Sequence, residues 1–95
     1  MKLRVRSTGM KLSQPISHYL RKKMQKLEKY LDFDNSNAEV NLDVEGYRQT
    51  AEIIIYSKKK TIVAKETSPE IYQSIDKVTG KMEKRLRREK EKKRR

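Results

Sequence analysis

The C-terminal third of this 95-residue chain predicts one long amphipathic helix whose apolar face stops well before the chain does. Apolar residues recur at three- and four-residue spacing from Ile71 to Leu86. Between these two lie Ile75, Val78 and Met82. Residues 87–95 contain only arginine, lysine and glutamate. Because these turns have no apolar side chain to bury, we expect them to carry positive charge toward a polyanionic partner.

A basic stripe runs along the same helix beside the apolar one. At about 100° per residue, its members fall on one side of the helix. They are Lys77, Lys81, Lys84, Arg85, Arg88 and Lys92. Cations in a line suit the phosphates of a nucleic acid, whose neutralisation releases counterions and makes the affinity depend on salt. A solvated helix face is the alternative, but the continuation past Leu86 favours polyanion binding.

The overall charge supports this interpretation. The formal net charge is +12, with 40% of residues charged and 34% hydrophobic. Basic residues concentrate at 2–29 and 77–95, whereas most acids lie in the middle of the chain. Such a polarised distribution is typical of nucleic-acid-binding proteins. Periodic apolar positions persist, so we expect one small folded domain over residues 1–95, with a basic helical extension at about 87–95.

The residue types that catalysis needs are scarce. The chain has no cysteine and one histidine, His18, which is predicted opposite the apolar face of the first helix. Neither a nucleophile–base pair nor a histidine-rich metal site can be assembled, so we predict neither an enzyme nor a cofactor. The N-terminus lacks a signal-peptide core and no apolar run could span a bilayer. We therefore expect a soluble, cytoplasmic protein without a membrane partner.

Alternating and β-branched segments predict four strands. They lie at residues 2–7, 38–45, 50–56 and 61–66. The third is β-branched and apolar and is expected at the centre of the sheet, with Ile53 and Ile55 facing the helices. Loops are predicted at 32–37 and 58–60, with a tight turn at Gly46.

Two helices complete the order βαβββα. Ser13 is placed to cap the first, whose apolar face runs from Ile16 to Leu31 over about four turns. Ser68 and Pro69 predict the cap and the first position of the second helix. Two helices covering one face of a four-stranded, mainly antiparallel sheet is the economical packing, and the predicted fold class is α+β.

Lysines of the first helix form a second candidate contact. Lys22, Lys26 and Lys29 share a face turned away from the apolar side, with Lys23 near its edge. Whether this face and the basic stripe point the same way depends on packing that the sequence leaves open. The helix tyrosines lie at or beside apolar stripes and predict core-edge positions. We therefore expect recognition of backbone and shape, with little base stacking.

Three segments have a specific order and spacing, although none is diagnostic alone. They are Lys-Leu-Glu-Lys-Tyr-Leu-Asp at 26–32, Ile-Tyr-Gln-Ser-Ile-Asp at 71–76 and Lys-Met-Glu at 81–83. They belong to the longer stretches 9–32 and 50–86. On these segments, and over essentially its whole length, the chain resembles the ribosome hibernation promoting factor family, which includes the ribosome-associated inhibitor.

The resemblance implies a fold similar to a double-stranded-RNA-binding domain. It also implies binding to the small ribosomal subunit and its rRNA between head and body, over the messenger channel and the tRNA sites. A protein bound there competes with mRNA and tRNA. Translation is then blocked and the idle ribosome is protected, as under stress or in stationary phase.

Carried onto this chain, the resemblance assigns the RNA contacts to basic residues of both helices. The matching positions are Lys23, Lys26, Lys81, Lys84, Arg88 and Lys92. The stripe geometry adds Lys22, Lys29 and Arg85. Long family members carry a further C-terminal domain that pairs two ribosomes, and the inhibitor branch has an acidic tail. The chain looks like a short promoting factor or the N-terminal domain of a long one, and a second hibernation factor for ribosome pairing is left open.

Two other classes of function stay open. A generic double-stranded RNA or DNA binder would need the same basic faces without selectivity for the ribosome. A protein-interaction role, as the transcription-factor modulation in one name of the family suggests, would use acids on the outer face of the second strand. These acids are Glu39, Asp43 and Glu45. A solvated sheet face explains them equally well.

Overall fold

The computed structural model describes residues 2–31, 36–57 and 60–93, without the side chains of Lys92 and Lys93. The strands are β1 Lys2–Thr8, β2 Asn37–Glu45, β3 Arg48–Tyr56 and β4 Thr61–Ser68. The helices are α1 Gln14–Gln25 and α2 Ile71–Lys93, and a 3-10 turn, Glu28–Tyr30, follows α1. The predicted βαβββα order is confirmed. Most of the predicted loops at 32–37 and 58–60 lies outside the described residues.

The strands form one sheet in the order β1-β2-β3-β4. β1 and β2 run parallel on either side of the α1 crossover, while β2–β3 and β3–β4 are antiparallel. β3 therefore lies in the interior of the sheet, as its composition predicted. Glu45 pairs with Arg48, which leaves a two-residue hairpin turn. Gly46 in that turn has a φ of 56°, the left-handed conformation that such tight hairpins favour.

The core lies on one face of the sheet, under both helices. Along β2 and β3, side chains on this face alternate with more accessible ones on the other. The predicted apolar residues of α2, from Ile71 to Leu86, are buried along the whole stripe. α1 adds Leu20 and Met24 to the same cluster. In the described part of the chain no helix packs against the opposite face of the sheet, so the two basic helices share one side of the molecule.

The first helix is shorter than its apolar pattern predicted. Its start is confirmed, because the Ser13 Oγ accepts a hydrogen bond from the Ile16 N–H at 3.3 Å. α1 ends at Gln25, where the N–H groups of Lys26 and Leu27 bond to carbonyls three residues back. These shorter bonds tighten the chain into a 3-10 turn. Leu27 is still buried, so the spacing identified the core residues but not the end of the helix.

The start predicted for the second helix was wrong by two residues. Ser68 is the last residue of β4, and the helix begins at Ile71. Glu70 performs the capping instead, since its carboxylate accepts hydrogen bonds from the N–H groups of Tyr72 and Gln73, both at 3.2 Å. A carboxylate satisfies the first N–H groups and complements the positive end of the helix dipole.

Gly80 lies exposed in the middle of α2, and a Cβ there would meet no atom within 4 Å outside the helix backbone. Glycine inside a helix is less favourable than alanine by roughly 1 kcal/mol. We therefore expect Gly80→Ala to raise the free energy of unfolding by about 1 kcal/mol. Urea denaturation followed by circular dichroism would measure the difference.

Gly9→Ala provides the contrasting control and should lower stability. Gly9 has a φ of +78°, and a Cβ there would overlap the Val44 carbonyl oxygen in the neighbouring β2 strand. The strain and the clash together should cost more than about 1 kcal/mol. Effects of the same sign at Gly9 and Gly80 would contradict this distinction between a close backbone approach and a tolerated helix glycine.

Candidate nucleic-acid interface

Exposed cations on the outward side of α2 form the centre of the candidate interface. The rotation of α2 is set by Ile75 and Met82, which are fully buried. With about 100° per residue, the opposite side presents Lys77, Lys84 and Arg88. All three are exposed, and none has a hydrogen bond or ion pair with another residue in the described part of the chain. Their charges are available to an anionic partner.

The flank of α2 that lies over β4 holds two further predicted contact residues, and both are engaged within the protein. The Lys81 ammonium lies 3.0 Å from the Glu66 carboxylate of β4. The Arg85 guanidinium donates a hydrogen bond to the backbone carbonyl of Val63, on the outer strand of the sheet. These two cations tie the helix to β4, so an RNA contact would have to compete with an intramolecular partner.

The α1 lysines divide in the same way. Lys22 and Lys26 are exposed, and neither side chain has a hydrogen bond or ion pair among residues 2–31, 36–57 and 60–93. Lys23 lies 3.2 Å from the Asp76 carboxylate of α2. Lys29, in the 3-10 turn, lies 3.9 Å from Glu83. Lys26 lines the groove between the helices together with Gly80, on the outward side of α2.

The structure therefore sorts the nine predicted RNA-contact residues into three groups. Those whose side chains have no hydrogen bond or ion pair in the described chain are Lys22, Lys26, Lys84 and Arg88, although the charge of Lys26 also helps to lower the pKa of Asp76. Those with one are Lys23, Lys29, Lys81 and Arg85. The side chain of Lys92 lies outside the described residues. Both helices pack on the same face of the sheet, and Lys26 lines the groove between them beside Gly80.

The last turns of α2 have contacts that the sequence pattern did not reveal. The Tyr30 hydroxyl oxygen accepts a hydrogen bond from the Arg87 guanidinium, and this contact raises the pKa of Arg87. Lys90 donates to the Lys29 carbonyl at 3.3 Å, and Glu89 pairs with Lys60 at 2.6 Å. The turns after Leu86 are thus held on both sides by polar contacts. Charge-carrying is not their only role, and no apolar periodicity could have shown this.

A three-residue cluster links α1 to α2 near the start of α2. The Tyr19 hydroxyl donates to Asp76, and the Lys23 ammonium lies 5.5 Å from the Tyr19 ring centroid. The Tyr19 hydrogen bond holds the pKa of Asp76 below its usual value, and Lys23 acts in the same direction. The Asp76 carboxylate in turn raises the pKa of Lys23 and of Tyr19. All three groups are therefore in their usual ionisation states at neutral pH.

The lowered pKa of Asp76 predicts an acid-dependent contribution to stability. Its stabilising effect is present above the ordinary carboxyl value of 3.8 and is lost as the pH falls through the lower folded value. We expect Asp76→Asn to cost about 1 kcal/mol at neutral pH, limited by solvent screening of the half-exposed carboxylate. The difference from wild type should shrink at about pH 2.

Urea denaturation of both proteins at the two pH values would measure this effect. A matched variant is Asp43→Asn, on the outer face of the sheet, where the carboxylate is exposed. It should show little difference at either pH. A cost of Asp76→Asn that is equal at neutral and acid pH would contradict the ionised-carboxylate explanation.

The five tyrosines, all among the described residues, give the helices no stacking platform. Tyr19, Tyr30 and Tyr72 pack against the core as predicted. Tyr47 is 89% exposed at the β2–β3 turn, and Tyr56 is 41% exposed on the outer face of the sheet. Both lie away from the basic surface. This distribution fits recognition of phosphates and helical shape better than recognition of unstacked bases.

The acidic outer face of β2 is partly neutralised. Glu39 lies 3.7 Å from Arg6 on β1 and accepts a hydrogen bond from the Tyr56 hydroxyl at 3.3 Å. Asp43 and Glu45 are exposed near the β2–β3 turn. His18 is exposed, as predicted. Among the described residues, no three potential metal ligands cluster.

Comparison with known proteins identifies the family of the chain. The sequence profile of the family described as sigma 54 modulation protein / S30EA ribosomal protein matches residues 3–94. The chain belongs to that family. The resemblance inferred from the segments at 26–32, 71–76 and 81–83 is therefore confirmed.

Relatives within the family are named ribosome hibernation promotion factors. One, from Picosynechococcus, is 30% identical over 97% of this chain and 50% of its own length. Another, from Lactococcus lactis subsp. cremoris, is 33% identical over 93% of this chain and 49% of its own length. The chain thus spans about half the length of these curated relatives.

Two solved structures share the fold. A ribosomal subunit interface protein from Coxiella burnetii superposes with a TM-score of 0.84, covering 95% of this chain and 98% of the other at 19% identity. The N-terminal domain of Protein Y from Thermus thermophilus gives a TM-score of 0.81, covering 93% and 98% at 23% identity. In the described part of the chain, no helix has the length and apolarity needed to cross a membrane.

Proposed function

We propose that this chain binds the small ribosomal subunit and prevents it from translating. The observation that carries the proposal is the surface formed by α1 and α2 on one face of the sheet, whose exposed cations include several without a side-chain ion pair in the described chain, in a member of a ribosome-associated family. On this surface, Lys22, Lys26, Lys84 and Arg88 are the primary RNA contacts. Lys23, Lys29, Lys81 and Arg85 contribute less, because each would have to leave an intramolecular partner.

The proposed site on the subunit is the messenger channel and the tRNA sites, where the chain competes with mRNA and tRNA. The molecule is elongated, with extents of 45 × 21 × 19 Å, and α2 alone is roughly 34 Å long. A rigid, narrow body with one cationic side can occupy an RNA-lined channel. Inhibition then needs no chemistry, since occupancy by itself excludes the messenger.

Sedimentation of the purified chain with small subunits, large subunits and whole ribosomes across a salt series tests the proposal. We expect saturable binding of about one copy per small subunit that persists at moderate salt and is displaced by mRNA. Diffuse binding to both subunits that disappears with a modest rise in salt would contradict it.

A generic duplex-RNA or DNA binder is the second candidate. The same cationic surface favours it, because phosphate contacts carry no sequence information. Parallel titrations of small subunits and a duplex RNA at moderate salt discriminate the two candidates. Comparable affinities would favour the generic binder, and a strong preference for subunits would favour the ribosomal function.

A further inference from the structure

Two side-chain clusters, each made of a tyrosine, a lysine and a carboxylate, join α2 to the first helical segment, which consists of α1 and the 3-10 turn after it. The first clamp consists of Tyr19, Lys23 and Asp76. In the second clamp, the Tyr30 hydroxyl donates to Glu83 at 3.3 Å, and the Lys29 ammonium lies 3.9 Å from the same carboxylate. Lys29 also lies 5.1 Å from the Tyr30 ring centroid. Each clamp therefore has a carboxylate on α2 that holds both a tyrosine and the lysine lying over that tyrosine.

The placement of the acids on α2 is selective. Between Ile71 and Leu86, Asp76 and Glu83 are the only acidic residues in the sequence. They are seven residues apart, or about two helical turns, and so lie on the same side of the helix. Both face the α1 side, and the outward side keeps its cations unpaired. Between Ile71 and Leu86 the acids thus reduce the positive potential on the side that meets α1, whereas Glu91, seven residues after Lys84, lies on the outward side of the last turns.

A purely stabilising role explains this arrangement poorly. The Asp76 and Glu83 side chains are 48% and 30% exposed, and such surface pairs contribute at most about 1 kcal/mol each. Leu20, Met24 and Leu27 pack in the same core as the buried stripe of α2, and this core sets the spacing of the two helices. The groove beside Gly80 stays open. What the clamps add at the exposed edge is to hold the side chains of Lys23 and Lys29 against α2.

We propose that Asp76 and Glu83 are positioning residues for polyanion binding, which hold the lysines of the first helical segment at a defined distance from the outward cations of α2. The inference rests on the proposed RNA-binding function and names residues that do not themselves touch the RNA. Two rows of cations that are already held in place bind phosphates without the entropic cost of ordering the helices, and the lower cost gives a higher affinity.

Charge alone and positioning predict opposite results when the acids are removed. Asp76→Asn with Glu83→Gln raises the net charge from +12 to +14, because two negative charges are lost. If only charge mattered, affinity for a polyanion would rise. If the clamps position the cations, we expect affinity for a duplex RNA to fall about tenfold, the equivalent of about 1.4 kcal/mol.

The control is Asp43→Asn with Glu45→Gln, which makes the same charge change on the outer face of the sheet. Its duplex affinity should stay equal to wild type or rise slightly. A pair that leaves the net charge unchanged, Tyr19→Phe with Tyr30→Phe, removes only the clamp hydroxyls that donate to the two carboxylates, and it should lower affinity about threefold. Circular dichroism and thermal unfolding verify that each variant is folded at the assay temperature.

Duplex affinity decides the inference, and subunit binding decides the proposed function. Clamp variants that bind the duplex as tightly as the outer-face control would overturn the positioning role. So would a wild-type chain that does not bind the duplex. The chain could instead show no saturable subunit binding while the variants' affinities for duplex RNA follow the expected order. That result would contradict the ribosomal function and leave the clamps as positioning elements of a generic binder.

Discussion

Reversing Lys84 and Arg88 to glutamate should lower the affinity for small ribosomal subunits about a hundredfold and leave the fold intact. Both side chains are exposed on the outward side of α2 without a partner in the described chain, so their loss breaks no intramolecular contact. Each lost phosphate contact should also reduce the slope of log affinity against log salt by about 1. Sedimentation and filter binding over a salt series measure both effects.

The matched control reverses Arg48 and Lys65, which lie on the outer face of the sheet. Both double variants lower the net charge from +12 to +8, since each reversal removes one positive charge and adds one negative charge. The control should retain affinity within about threefold, because screening limits the reach of exposed charges to about 10 Å. Equal losses in the two variants would indicate that total charge decides binding and that the helix surface does not.

Ile53→Ala should produce the largest loss of stability among simple truncations. Ile53 lies in the interior strand β3 and is fully buried beneath the helices. Truncating a buried isoleucine to alanine costs about 3 kcal/mol, part in lost burial and part in the cavity that remains. In a domain of this size we expect the Tm to fall by about 15 °C, measured by thermal unfolding.

Val63→Ala is the comparison within the same sheet. Val63 lies on the outer face of β4 and is 40% exposed, so its truncation leaves no enclosed cavity. We expect a loss below about 1 kcal/mol. A cost for Ile53→Ala no larger than that for Val63→Ala would show that the inward face of β3 does not carry the core.

The order of elements and the inward residues were predictable because they depend on local periodicity. Period-2 alternation identified the four strands, and the spacing from Ile71 to Leu86 identified the buried face of α2. The ends of the helices were less predictable. α1 ended early through 3-10 hydrogen bonds, and Glu70 capped α2 in place of Ser68. Such ends depend on competition among neighbouring donors and acceptors, which a hydrophobic pattern does not encode.

The sequence predicted which cations belong to the candidate site, but it did not predict which of them lack an ion pair within the protein. The pattern gave equal weight to Lys81 and Lys84, which lie three residues apart in the basic stripe. Lys81 nevertheless pairs with Glu66, while Lys84 has no partner in the described chain. Tyr19 and Asp76 are 57 residues apart in sequence, and only the packing of α1 beside α2 brings them together.

The sequence by itself determined the fold class, the buried faces, the basic character of both helices and the family. Each follows from the residue types and their spacing, because these act through interactions between residues that are close together in the sequence. Only the tertiary structure decided which lysines are paired, where the acids of α2 point and that both helices pack on the same face of the sheet. Ion pairs and hydrogen bonds form over a few ångströms, so they depend on the contact between segments that are distant in the chain.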